Sequence, residues 1–311
     1  RVRGDCASIC DSIGNLLMYC GSPNQDIWRP PGPPYIYDDG FMLNRYNNII
    51  SNGDSLKCNL GYQEMIITPN PGNSNQFYVF TAGVLSSPLP MGFFYNIVDL
   101  SLNNDSGYVI QKNIPLASFQ VGDGVAAVKH GNGRDWWVLF RPWDSNVPNN
   151  TFYLYLATPQ GLSGPFIQNV GTSVSLGGSY RRNEFSKDGS TLFTSSSTGL
   201  LEYYDFDRCT GELSNFKRIW IDQLAVIAGL AVSPNSRFAY CFTGNALYQY
   251  DMELDTTIHI DDYDGFADPE GTVLAATFYQ AQLAPNGKIY ACASNGVRYL
   301  HVINNPNEAG L

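Results

Sequence analysis

The run Leu283-Ala-Pro-Asn-Gly-Lys-Ile-Tyr-Ala-Cys292 passes from an apolar approach through Pro-Asn-Gly into a β-rich stretch. Pro285 presets one turn dihedral, and Asn286 and Gly287 accept the positive φ that tight hairpins need. Alone it predicts one hairpin. Related runs recur at Asp11–Tyr19, Thr68–Phe80, Lys129–Leu139, Ser186–Phe193 and Ser233–Tyr240. With Gly14, Gly72, Gly133, Gly189, Ser236 and Gly287 as equivalent positions, the spacings are 58, 61, 56, 47 and 51 residues. A period near 50 belongs to propeller blades with insertions. Each period holds frequent turn signals and no long apolar pattern of helical spacing. The repeat predicts an all-β chain, a β-propeller of six four-stranded blades, with seven as the alternative count.

The blades read as residues 5–50, 62–116, 121–170, 180–220, 228–262 and from 277 onward. In the second blade, Glu64–Thr68, Phe77–Thr81, Phe93–Leu100 and Tyr108–Ile114 read as strands, and Trp136–Phe140 in the third is the most hydrophobic strand of the chain. Pro30, Pro31, Pro33 and Pro34 exclude a central strand, because proline lacks the ladder donor. The sixth blade lacks an outer strand in this count. The expectation is one propeller domain over 1–311, excerpted from a longer polypeptide whose unseen part completes the last blade.

Only 15% of residues are charged, and the net charge is −10. That balance argues against nucleic-acid binding, which needs clustered Lys and Arg, and against an electrostatic grip on anionic membrane. No run has the length and apolarity of a membrane-spanning helix, so no direct membrane insertion is expected. Seven cysteines leave at least one unpaired within the chain. A hairpin closed by Asp11–Asn15 would set Cys6 opposite Cys20 and permit a disulfide; small buried residues are the alternative reading. Cys241 and Cys292 hold equivalent positions in successive hairpins and are not expected to bond each other.

Chemistry-bearing clusters are few. Asp261, Asp262, Asp264, Asp268 and Glu270 fall within ten residues and could hold calcium, although the spacing departs from the EF-hand loop; a solvated acidic loop is the alternative. No other cofactor is indicated. His130, His259 and His301 fall in different blades without zinc-ligand spacing, and no nucleophile elbow, phosphate loop or dinucleotide fingerprint occurs. Asp99, Asp205 and Asp251 end strands, where they either face a channel or bond turn backbone. Arg3-Gly4-Asp5 and the sequons at Asn104 and Asn149 are short patterns of low specificity. Twenty Tyr and five Trp suit either contacts with partners or packing between blades.

Several longer strings resemble one family. They are Ala7–Tyr19, Asn96–Leu102, Gly133–Leu139, Tyr204-Asp-Phe-Asp-Arg-Cys-Thr-Gly-Glu-Leu-Ser-Asn215 and Leu300–Asn307. The chain resembles the propeller-like N-terminal region of large secreted Bacteroidota proteins. Those proteins carry PKD-like modules and end in gliding-motility-associated or type IX secretion sorting domains. The resemblance implies export and an extracellular or cell-surface location, and supplies no catalytic residues. It also implies O-glycosylation at Ser12, Ser55 and Thr256, each preceded by Asp.

The leading functional expectation is a non-enzymatic adhesion or assembly module of a surface protein, meeting protein or glycan ligands on rigid propeller faces. Its partners would be other domains of the same polypeptide or further copies in a homo-oligomeric surface appendage. The alternative is a calcium-dependent hydrolase or lactonase working from the channel. A third option is a scaffold that spaces other domains.

Overall fold

The recurrent turns do close hairpins, and they do so with one hydrogen-bond signature. In the computed structural model, which describes residues 2–23, 40–58, 63–83, 92–143, 149–174, 181–196, 198–223, 225–269 and 273–310, the N–H groups of Gly14, Gly133, Gly189, Ser236 and Gly287 donate to the carbonyls of Asp11, His130, Ser186, Ser233 and Ala284. All five donors have positive φ, between 62° and 89°. Within four of these turns, Asn132, Asp188, Asn235 and Asn286 accept the backbone N–H two residues on through their side-chain oxygens. This Asx geometry is why Asn and Asp recur there. The second repeat differs. Its turn is longer, and Asn73 rather than Gly72 supplies the N–H, to Asn70.

The strands pair in sequence order into blades. Blade 1 holds β1 (Val2–Cys10), β2 (Leu16–Pro23) and β3 (Phe41–Asn44). Blade 2 holds β4 (Met65–Pro69), β5 (Gln76–Gly83), β6 (Gly92–Asp99) and β7 (Tyr108–Ala117). Blade 3 holds β8 (Ala126–Lys129), β9 (Trp136–Phe140), β10 (Asn149–Thr158) and β11 (Gly161–Val174). Blade 4 holds β12 (Arg181–Phe185), β13 (Thr191–Ser196), β14 (Leu200–Phe206) and β15 (Leu213–Trp220). Blade 5 holds β16 (Gly229–Val232), β17 (Phe238–Phe242), β18 (Ala246–Asp251) and β19 (Thr256–Asp262). A two-stranded ribbon of β20 (Ala267–Asp268) and β21 (Leu274–Ala275) precedes blade 6, formed by β22 (Ala281–Leu283), β23 (Ile289–Ala291) and β24 (His301–Ile303). The described residues thus form a six-bladed all-β propeller, which decides between six and seven.

The chain divides into two compact units, Arg1–Asn169 and Val170–Leu311. In the first unit, one core lies between blades 1 and 2 and joins Met18, Met42, Val79 and Val98. The next lies between blades 2 and 3, where the Phe93 and Phe140 rings stand 4.2 Å apart. In the second unit, Phe193 and Leu201 pack on Leu230 and Ala239, and Tyr240 and Phe242 pack on Phe278 and Ile303. These interblade cores take up much of the aromatic content, as the packing reading expects.

One register differs from expectation. Cys10 pairs with Leu16, but Ile9 pairs with Met18, so Leu17 is an extra residue on β2. The carbonyl of this bulged residue accepts the Arg45 N–H at 3.1 Å, and its side chain leans on the core. A one-residue slip exchanges sheet faces. Cys6 therefore lies opposite Gly21 and is exposed, while Cys20 lies opposite Ala7 and is buried. The facing pair on which the Cys6–Cys20 disulfide depended is not formed. Cys241 is buried on β17, and burial pushes its thiol pKa upward.

Candidate active site

Among the described residues the acidic run does not converge. Asp262 meets His259 Nε2 at 2.9 Å, Asp264 accepts the Phe266 N–H at 2.8 Å, and Asp261 accepts the Asp262 N–H at 2.9 Å. Asp268 is buried and paired with Arg298 at 2.9 Å. Glu270 lies outside the described residues. Among the described residues no group of three or more His, Cys, Asp or Glu is placed to hold a metal. The described donors are divided among turn backbone, His259 and the Arg298 guanidinium and do not fit calcium.

The strand-ending aspartates serve their turns. Asp99 accepts from Gln76 and Ser101, and Asp251 accepts the N–H groups of Glu253 and Leu254 besides a bidentate Arg237. Asp205 accepts from Asn215 at 2.7 Å. The histidines are dispersed: His130 Nδ1 accepts the Asn132 N–H in its turn, and His301 Nε2 lies 2.7 Å from the Ala276 carbonyl. Ser12, Ser55 and Thr256 are exposed. The side chains of Arg3 and Asp5, and the Pro30–Pro34 crossing, lie outside the described residues.

A site that sequence reasoning passed over lies on the first strands of the second unit, where β12 adjoins β16 and β16 adjoins β22. The blades of a propeller surround a central channel. On β12, Arg182 pairs in register with Ser195 and Glu184 with Phe193, so these four side chains share one face of the sheet. Phe193 packs against Leu230 and Val232, which turns that face toward blade 5. Burial raises the Glu184 carboxyl to about 7, and the Arg182 charge offsets only part of that rise. Arg182 also acts on Cys292, whose thiol is raised by burial and drawn partly back first by the Gln280 backbone and then by the guanidinium.

Two polar atoms of this face are buried without a hydrogen-bond partner, Arg182 Nη2 and Ser195 Oγ. Buried donors are rarely left so, and each costs about 1–3 kcal/mol unless water or a ligand meets it. A carboxyl titrating near neutrality beside an under-used guanidinium can move a proton and hold an anion. Nothing in the spacing of Arg181-Arg-Asn-Glu184 announced this. The available signal was alternation of charged residues within a strand that enters a Ser-Lys-Asp-Gly turn.

No family model matches the chain, and none of the curated proteins compared with it matches. Solved structures do. The periplasmic gluconolactonase PpgL of Pseudomonas aeruginosa aligns with TM-score 0.58 and 12% identity over 95% of this chain and 80% of that one. A candidate 6-phosphogluconolactonase of Bacteroides fragilis aligns with TM-score 0.55 and 11% identity over 98% and 81%. The Swd1 β-propeller domain of Myceliophteria thermophila aligns with TM-score 0.51 and 10% identity over 94% and 81%. At these identities the likeness is one of architecture: the chain has the β-propeller fold.

Proposed function

We propose that this propeller is a hydrolase of small ring esters, with Glu184 as general base and Arg182 as the anion-holding group. The observation that carries this reading is a half-buried carboxyl raised to about 7 by desolvation, beside a guanidinium with an unpartnered buried nitrogen, on the first strand of blade 4. In the reaction, ionised Glu184 takes a proton from water, and the oxygen attacks the lactone carbonyl carbon. The C–O bond of the ring then breaks, and the departing alkoxide takes the proton back from Glu184. The product is the open-chain hydroxy acid, which releases its carboxyl proton to solvent as the carboxylate that Arg182 would hold. The gluconolactonase names among the structural neighbours support the same substrate class. Calcium is left out of this reading because the described acidic residues are engaged elsewhere.

The test is hydrolysis of glucono-δ-lactone and 6-phosphogluconolactone by the purified chain in a pH-stat. Acceleration that rises through about pH 7 and falls at least ~100-fold in Glu184→Gln supports the reading. No acceleration over buffer, or a Glu184→Gln variant with unchanged rate, overturns it.

The non-enzymatic reading, an extracellular adhesion or assembly module, is favoured by a different observation. Tyr299, Leu300 and Val302 are exposed apolar side chains around one sheet edge, at 44%, 59% and 41% exposure. Contiguous exposed apolar groups mark interaction surfaces. Specific, saturable adhesion to glycan or protein together with no lactone hydrolysis would favour it over the hydrolase.

A further inference from the structure

Among the described residues blades 1 and 6 both show three strands, but their outer edges differ. The edge of β3 is covered by the chain that follows it: Met42 N–H donates to Gly53 O at 2.7 Å, Ile50 N–H to Met42 O at 3.0 Å, and Gly40 and Leu56 exchange bonds at 2.8 and 2.9 Å. No described segment covers the edge of β24 in this way. Among the described residues its backbone bonds only to β23.

The parity of the ladder identifies the open groups. Ala284 N–H donates to Lys288 O and Cys292 N–H to Gln280 O, so the even-numbered residues of β23 face β22. Ile289 and Ala291 then bond to Ile303 and His301, and the N–H and C=O of Val302 point away from the sheet. Beside this edge lies a half-open cleft of about 360 Å³ between blades 5 and 6. Its apolar wall includes Phe242, Ile260, Phe278 and Ile303, and Asp261 stands at its rim. In the complete blade 5, the outer strand β19 turns Ile258 and Ile260 inward and leaves Thr257, His259 and Asp261 exposed.

We propose that β24 is an acceptor edge for one added antiparallel strand, supplied by a peptide segment that alternates apolar and polar residues and carries a basic side chain. Main-chain bonds to Val302 would give affinity, and apolar side chains entering the cleft would give specificity. The basic residue follows from charge: the exposed Asp261 lines the cleft beside the edge, and the chain carries −10 overall. The same negative charge disfavours a second copy as occupant.

The probe is a fluorescein-labelled peptide of strictly alternating pattern, Thr-Val-Lys-Ile-Thr-Val-Lys, whose lysines supply the basic charge. It is titrated with the whole chain by fluorescence anisotropy. Saturable binding is expected, weakened at least tenfold by Val302→Pro and by backbone N-methylation of alternate peptide residues, and several-fold by Asp261→Lys. Far-UV circular dichroism checks that Val302→Pro folds, and the methylated peptide tests the edge without altering the protein. Three results would overturn the proposal: absence of saturable binding, binding indifferent to N-methylation, or a concentration-dependent dimer in sedimentation that excludes the peptide.

Discussion

Gln249, fully buried on β18, donates to the Glu308 carbonyl at 2.7 Å and accepts the Gly310 N–H at 2.9 Å. Its amide also donates to Tyr240 Oη at 2.7 Å, and Tyr240 donates to the Pro306 carbonyl at 3.1 Å. One amide thus fastens residues 306–310 to blade 5. Gln249→Leu leaves the tyrosine and two backbone groups short of partners. We expect a loss of about 2–3 kcal/mol, from the cost of buried unsatisfied polar groups. Urea denaturation measures it, and hydrogen exchange should quicken first at 306–310.

The Gly287 turn offers a test of backbone strain without steric complication. Its φ is +79°, and a Cβ added there would meet nothing within 4 Å. Gly287→Ala should therefore cost the left-handed penalty alone, about 1–2 kcal/mol. A smaller midpoint shift in Gly72→Ala would not be expected, because a Cβ at Gly72 meets the Pro159 carbonyl oxygen at 2.8 Å. Paired urea melts of the two variants decide both statements.

The Asp251 carboxylate is buried and held below its ordinary pKa, first by Arg237 and then by the N–H groups of Leu254 and Glu253. A depressed pKa stabilises the fold above the unfolded value near 4, and that stabilisation is lost as pH falls through the folded value. Arg237→Leu strands the carboxylate and should cost about 3 kcal/mol at pH 7. The gap from wild type should narrow below pH 4 in thermal melts.

Glu184 has the opposite sign. Its folded pKa is about 7 against an ordinary 4.5, so its contribution to stability is full below pH 4.5 and lost as pH rises through 7. Glu184→Gln should flatten the decline of Tm between pH 5 and 8. This readout is independent of whether any lactone is hydrolysed.

Calcium gives a fifth contrast. With Asp268 paired to Arg298 and the neighbouring carboxylates bonded within their own loop, EDTA and added calcium should both leave Tm unchanged in differential scanning fluorimetry. A rise of several degrees with calcium would restore the acidic run as a site.

The fold was legible because it rests on local chemistry repeated at intervals. Asn132, Asp188, Asn235 and Asn286 bond backbone two residues away, and the residues after them take positive φ. Such turns leave their mark in any stretch long enough to contain them. Blade number followed from counting them, and only the second turn was misaligned, where extra residues moved the donor from Gly72 to Asn73.

The candidate site was not legible, because nothing local encodes it. Glu184 owes its raised pKa to how densely the fold surrounds its carboxyl, and Arg182 reaches Cys292 across more than a hundred residues of chain. The cysteine pairing failed for a related reason: one bulged residue, Leu17, kept in place by the core and by Arg45, reversed the face of every side chain beyond it on β2. The sequence by itself determined a propeller of hairpin blades, since turn geometry is fixed by neighbouring residues. The tertiary structure alone decided which side chains share a face and which carboxyl is desolvated, since desolvation and register depend on distant packing.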